Sequence, residues 1–251
     1  FMAVCIMEEN GKMENGYAGR SYRKGFEFMT DDVVDVIARE VVDRTAILFK
    51  AIKPKGGEMP VVMGSGGSGI LLHEAIGHAF EADFNRKDIS IFAGQLNKKV
   101  CNEHINVVDD GTIPFNRGSV NFDDEGVEGQ KTYIVKEGVL TSYLHDRISA
   151  KHYGVNPTGN GRRDTFRNLP IPRMRATYME PGNMKEEDII ASVKQGIFVD
   201  QFTNGQVQIG AGDFTFFVKS GYLIENGKLT QPIKDINIIG NGPKALADIT
   251  M

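Results

Sequence analysis

His73, Glu74 and His78 lie in the stretch GSGGSGILLHEAIGH, residues 64–78, and read as H-E-x-x-x-H. Imidazoles suit a borderline metal such as Zn2+, and a neighbouring carboxylate suits proton transfer from water. The spacing is one residue longer than the H-E-x-x-H of zinc hydrolase helices. Four apart, two histidines stand one turn from each other, with Cβ atoms roughly 6 Å apart. Five apart on an ideal helix they are rotated by about 140°, with Cβ atoms about 10 Å apart. Two rings only just meet on one ion across that gap. A π-bulge adds one residue to a turn and brings positions five apart into line, so the spacing predicts a widening or break of the helix at residues 74–78. On this reading neutral His73 and His78 ligate the metal. Glu74 points elsewhere and serves as general base on a water the metal activates.

The same stretch carries a competing signature. Gly64, Gly66 and Gly69 spell G-x-G-x-x-G, the loop that cradles a dinucleotide pyrophosphate. A dinucleotide fold then needs a second strand ending in an acid some 20 residues on. Here Asp88 precedes the next strand-like piece, ISIFAG, and no βαβ pattern follows. The loop therefore reads as a turn whose amides help to start a helix, or as a seat for an anion or peptide carboxylate. On a helical wheel Leu72, Ala75, Ile76, Ala79 and Phe80 form one apolar stripe. His73, Glu74, Gly77, His78 and Glu81 take the other side, and Gly77 leaves space for an ion. Two histidines, two acids and a glycine are an unusual solvated face. Glu81 is either a partner that orients His78 or a surface acid.

These residues need elements to hold them. TDDVVDVIAREVVDRTAILFKAI predicts a helix over 31–52, capped by Thr30, and MPVVM (59–63) a short buried strand. A helix over 69–82 follows the glycine loop. Beyond Asp83 strands and turns take over. HINVVDDGT is a strand entering a turn, and KTYIVKEGVLTSYLHD a hairpin bending at Glu137-Gly138. RISAKHYG is a short helix, NPTGNGRRD a loop, RATYME a strand and NMKEEDIIASVKQG a capped helix. GIFVD, GQVQIG, DFTFFVKS and GYLIENGKLTQPI form a run of antiparallel strands before a last helix, GPKALADI. Strands and helices segregate rather than alternate, so the fold class is α+β: antiparallel sheets with a few packed helices. Two subdomains are expected, a helical one over 1–100 with the metal-motif helix and a mostly β one over 101–251.

Composition bounds the function. The 251 residues carry a net charge of −4, which offers no basic field for nucleic acid. The 29 glycines point to many turns. Two cysteines, Cys5 and Cys101, make no disulfide framework; both read as buried structural thiols in a reducing compartment. No apolar run is long enough to span a membrane and no signal-peptide pattern is present, so the expectation is a soluble, cytoplasmic protein.

The stretch HEAIGH followed by AFEADFNRK resembles the TldD/PmbA family of peptide-processing metalloproteases, also called the modulator of DNA gyrase family. VVDDGTIP, GSVNFDDEG, TGNGRRD, PIPRMRATYMEPG and YLIENGK match its further motifs in order, from about Glu9 to the end of the chain. PmbA-type subunits lack the histidine motif, so the chain resembles the TldD-type, catalytic subunit. The resemblance implies hydrolysis of extended or unfolded peptides, His73 and His78 as Zn2+ ligands, Glu74 as base, and a PmbA-like partner subunit or a homodimer. It also implies a third ligand, a cysteine in a Cys-Gly-Lys stretch that would follow Met251, and an N-terminal domain that would precede Phe1. Cys5 and Cys101 stand in the wrong contexts for that ligand, and nothing near His104, His145 or His152 resembles a ligand motif. The expectation is a two-ligand site, weak or empty, with little activity in this stretch alone.

Other residues carry two readings each. Asp109-Asp110-Gly111 and Asp123-Asp124-Glu125-Gly126 read as Asx turns or as the lining of a peptide channel. Arg162 and Arg163 would hold a peptide carboxylate or carbonyl, or a structural ion pair. Ser65 and Ser68 lie near His73 without the company a serine nucleophile needs. Against the zinc peptidase stand a non-catalytic module that binds peptides by β-augmentation and, more remotely, a nucleotide-binding loop.

Overall fold

A computed structural model describes residues 1–66 and 69–251. In chain order, β1 (Met2–Glu9) and β2 (Lys12–Gly19) form a hairpin, followed by α1 (Asp31–Ala46) and β3 (Val61–Met63). The site segment begins with one turn of α-helix, α2 (Gly69–Leu71), and α3 (Ala82–Asn85) comes soon after it. Then come β4 (Val107–Asp110), β5 (Lys131–Lys136), β6 (Val139–Leu140), α4 (Arg147–Tyr153), β7 (Gly161–Arg162), β8 (Ile171–Pro172) and β9 (Thr177–Met179). The chain continues through α5 (Glu186–Ser192), β10 (Gln195–Val207), β11 (Asp213–Glu225), β12 (Lys228–Ile233), β13 (Ile236–Asn241) and α6 (Gly242–Ala247). The architecture is α+β, as the segregated pattern predicts.

The contacts divide the chain into two units, each assembled from three separate stretches of sequence. The first holds residues 1–68, 184–204 and 217–238; the second holds 69–183, 205–216 and 239–251. The first unit is drawn together by a parallel pairing of β3 with β10, so a short early strand recruits a late one. Glycine 64 sits in that pairing. Its N–H donates to the Val199 carbonyl at 2.9 Å, and a Cβ there would meet the Phe198 ring at 2.7 Å. α1 begins where expected: the Thr30 side chain accepts from Val33 N–H, and Asp31 and Asp32 occupy the first turn. Ile37 and Val41 of α1 pack on Ala18 of β2, with Ala3 and Cys5 of β1 alongside.

The second unit contains a four-stranded sheet in the order β6-β5-β4-β9, with every neighbour antiparallel. Val107, Val108, Ile134, Val135 and Leu140 are buried in it. The β5–β6 bend falls at Glu137 and Gly138, both with positive φ, which is the two-residue hairpin turn that Glu-Gly suggested. β7 and β8 form a small hairpin that carries the loop 163–170.

Several local expectations need correction. ISIFAG is a series of turns, not a strand: Ser90 and Phe92 are buried, but the Ser90 hydroxyl is spent on the Ala79 carbonyl at 2.5 Å. NPTGNGRRD is not wholly loop, because Gly161–Arg162 pairs with Ile171–Pro172. The helix in NMKEEDIIASVKQG is uncapped; Lys185 makes no capping bond, and Glu186, Glu187 and Asp188 face the positive helix end instead. The strand fragment GIFVD and the first three residues of GQVQIG belong to one long strand, β10, and the rest of GQVQIG turns out of it. Among the described residues, no helix is long and apolar enough to cross a membrane.

Candidate metal centre

The predicted helix over 69–82 exists in three short pieces. One α-turn is followed by a π-helical turn over Leu72–Ile76 and a 3-10 turn over Gly77–Phe80. Each piece has a physical cause. Leu72, Ala75, Ile76, Ala79 and Phe80 are all buried, so the apolar stripe holds the segment against the core despite the change of pitch. A strict 3.6-residue repeat would carry His78 well round the helix from His73; the extra residue in the π-turn removes that offset. The backbone of Ala75 is also hemmed in from outside. A Cβ on Gly242, at the start of α6, would collide with the Ala75 carbonyl, so only glycine lets α6 reach the π-turn.

The segment ends at Glu81, whose backbone is extended at φ −71° and ψ 127°. Leu144 pins this break from both sides: its N–H donates to the Phe80 carbonyl and its carbonyl accepts from Ala82 N–H, each at 3.0 Å. Asn85 satisfies the carbonyls of Ala79 and Glu81, at 2.8 Å each. Glu81 therefore does not continue the His face of a helix. It turns inward, and its exposure is 0 %.

The result is a convergent trio. The His73 and His78 rings stand edge to face with centroids 4.8 Å apart. Glu74 does not point away from the histidines, as its reading as a free base supposed. Its carboxylate reaches both rings, with Oε1 3.8 Å from His73 Nε2 and Oε2 3.9 Å from His78 Nε2. One ligand atom from each of the three residues falls within 4.8 Å of the other two. Gly77 leaves no room for an ion, because the Met174 sulfur already fills the space beside it.

Behind His78 lies a charged pair that spacing could not reveal. Glu81 Oε2 lies 3.1 Å from His78 Nδ1 and 2.9 Å from Arg173 Nη1. Of the two roles open for Glu81, the structure selects partner to His78. Arg173 is 92 residues distant in sequence, inside the motif PIPRM, and no local pattern ties it to the histidines. The electrostatics follow from burial and these bonds. Burial lowers the pKa of His73, helped by His78 and Arg162. The hydrogen bond to the Glu81 carboxylate raises that of His78. Burial pushes the Glu81 carboxyl up, while His78 and Arg173 hold it down.

The remaining candidates fall outside this trio. Asp110 and Asp123 are Asx turns: Asp110 Oδ1 accepts from Thr112 N–H, and Asp123 Oδ1 from Glu125 and Val127 N–H. Asp123 Oδ2 also holds Gly161 N–H at 2.8 Å. Arg163 is built into the loop, donating to the Asn168 carbonyl while its N–H meets Asp124. Arg162 is exposed, and its Nη1 reaches the Met174 carbonyl at 3.4 Å. Ser65 lies in a turn, and Ser68 falls outside the described residues. Cys101 is buried, which pushes its thiol up to about 11; Cys5 is half-buried on the hairpin. His104 and His152 are exposed.

His145 is the exception among the other histidines, at 3 % exposure with a buried Nδ1 that has no partner among the described residues. Burial lowers its pKa to about 4, against the pull of Asp146. The unfolded chain binds this proton from about pH 6.5 downward, while the folded chain resists until about pH 4. Stability attributable to neutral His145 is thus full at neutral pH and lost as pH falls through that window, by about 2 kcal/mol at about pH 5. A His145→Phe variant is expected to lose roughly 5 °C less in Tm than the parent between neutral pH and about pH 5. Equal acid sensitivity in paired thermal melts would refute the assignment.

Comparison with known proteins agrees with the geometry. A sequence model described as the PmbA/TldA metallopeptidase C-terminal domain matches residues 56–251. The chain is 45% identical over 251 residues to the metalloprotease TldD homolog of Haemophilus influenzae, covering 98% of this chain and 52% of that protein. It is 34% identical to the zinc metalloprotease TldD homolog of Saccharolobus solfataricus, covering 92% of this chain and 52% of that protein. The fold resembles that of TldE from Thermococcus kodakarensis, with a TM-score of 0.81 over 96% of this chain and 54% of that one, at 24% identity. The chain spans about half the length of the relatives it matches. With a matching domain model over residues 56–251, most of its length, the chain belongs to the PmbA/TldD metallopeptidase family.

Proposed function

We propose that this chain supplies the metal-binding, catalytic half-site of a zinc peptidase that cleaves extended or unfolded peptides. The observation that carries the reading is the convergence of His73 and His78, five residues apart, on the Glu74 carboxylate. Two imidazoles and a carboxylate suit Zn2+, and the gaps between their donor atoms are short enough for one ion to answer all of them. His73 Nε2 and His78 Nε2 would hold it. A zinc ion there supplies Lewis acidity, which makes water nucleophilic near neutral pH and polarises a peptide carbonyl.

The protein's own groups have distinct tasks. Glu74, flanked by both rings, receives the proton of the attacking water and passes it on to the departing amine. Glu81, held by Arg173, is an acceptor, so the His78 Nδ1 bears the hydrogen and its Nε2 lone pair is free. Arg162, exposed beside Met174, is placed to meet a peptide carbonyl or carboxylate. Family membership supports action with a PmbA-like partner subunit or as a homodimer.

Zinc content tests the reading directly. The full-length protein is expected to retain one zinc per chain through dialysis against a weak chelator. His73→Ala and His78→Ala are each expected to reduce it to background while the far-UV spectrum stays unchanged. Zinc retained in either variant, or absent from the parent, would end the proposal.

A further inference from the structure

We infer that Arg173 is a positioning residue for the metal centre: it fixes the Glu81 carboxylate, which fixes the His78 ring and so the direction of His78 Nε2. The inference rests on the reading of His78 as a ligand, and it extends that reading to a residue from a separate hairpin. Three observations carry it. Glu81 is fully buried, and a carboxylate in that setting is costly unless a cation stands beside it. A single oxygen, Oε2, makes both bonds, to Arg173 Nη1 at 2.9 Å and to His78 Nδ1 at 3.1 Å. The other oxygen, Oε1, is buried with no hydrogen-bond partner among the described residues. Once Arg173 is removed, only the bond to the His78 ring itself is left to set the rotation of the carboxylate.

Arg173 is itself held rigidly. Its N–H donates to the Asn160 carbonyl at 2.8 Å, and its own carbonyl accepts from Asn160 Nδ2 at 3.0 Å. Its guanidinium lies over the Phe84 ring at 5.5 Å, donates to the Pro172 carbonyl at 2.6 Å, and has Asp83 Oδ1 at 3.5 Å. A planar guanidinium can stack and donate at the same time; an ammonium keeps the charge and loses the stacking. The chain thus joins the β7–β8 hairpin to the π-turn through one buried carboxylate.

The test uses the full-length protein with Arg173→Met and Arg173→Lys. Zinc affinity is read by competition with a chromogenic chelator, and the His78 Nδ1–H by NMR of 15N-histidine-labelled protein without metal. Arg173→Met is expected to weaken zinc binding at least about tenfold and to abolish the slowly exchanging His78 Nδ1–H signal. Arg173→Lys is expected to keep the signal and to bind zinc within a few-fold of the parent. Parental affinity together with an intact signal in Arg173→Met would overturn the inference. If that variant fails to fold, Glu81→Gln with Arg173→Met removes both charges together; parental zinc affinity in the pair would overturn it equally. A parent that binds no zinc sinks the peptidase reading instead, and the metal-free NMR comparison still decides the role of Arg173.

Discussion

Glu74→Gln is expected to lower peptide hydrolysis by about 10³-fold while leaving zinc content at the parental level. The side chain lies between His73 Nε2 and His78 Nε2, within 4 Å of each, and glutamine preserves its volume and one acceptor oxygen there. What glutamine cannot do is hold a proton during bond cleavage. A base catalyst therefore loses rate without losing the ion. The two measurements separate the roles the geometry allows. A ligand carboxylate would release zinc on substitution, because an amide oxygen is a far poorer donor to it. The assay is cleavage of an unfolded peptide by the full-length protein with its partner subunit, alongside metal analysis of the same sample. Undiminished cleavage would remove Glu74 from the mechanism.

That substitution targets a residue the sequence placed in the site with the wrong orientation, and the reason is instructive. The helical wheel sets Glu74 on the face of His73 and His78, and the π-turn over Leu72–Ile76 keeps its carboxylate near both rings, so a base role did not require it to point away. The misfit of five-residue spacing with an α-helix nonetheless announced the π-turn itself, because two histidines on one ion demand it. Short-range features were legible for the same reason: the Thr30 cap, the Glu137-Gly138 bend and the short helix α4 are each set by neighbours in sequence. Arg173 and the buried fate of Glu81 were not, since a contact across 92 residues leaves no periodicity to read. Gly77 was misread because Met174, which occupies its open side, also comes from that distant hairpin. The glycine loop was read as a turn, and Gly66 lies in one with φ 86°. The tightest demand on glycine near the centre comes instead from Gly242, far along the chain.

Asp109→Ala is expected to cost about 3–5 kcal/mol, more than any substitution at the exposed rim of the site. Asp109 is 1 % exposed in β4, and its two oxygens serve three donors. Oδ1 accepts from Asn160 Nδ2 at 2.8 Å; Oδ2 accepts from Arg175 N–H at 2.8 Å and from Thr177 Oγ1 at 2.6 Å. Burial pushes its carboxyl pKa up, and those same three hydrogen bonds oppose the shift. Alanine strands all three donors at once, the Asn160 amide buried and the Arg175 N–H and Thr177 hydroxyl partly so. Asparagine is the milder change: it keeps the shape and avoids burying a charge, but its amide nitrogen can accept from no one. The loss should not stay local. Asn160 carries the backbone of Arg173, so loosening Asn160 should loosen the Arg173–Glu81–His78 line and weaken zinc binding along with stability. Hydrogen exchange separates the two effects. Amide protection is expected to fall at Arg175 and Arg173 in Asp109→Ala, with the β1–β2 hairpin unchanged. Protection preserved at Arg175, or a stability loss under about 1 kcal/mol, would show that Asp109 fills its place in β4 without organising the residues behind the metal centre.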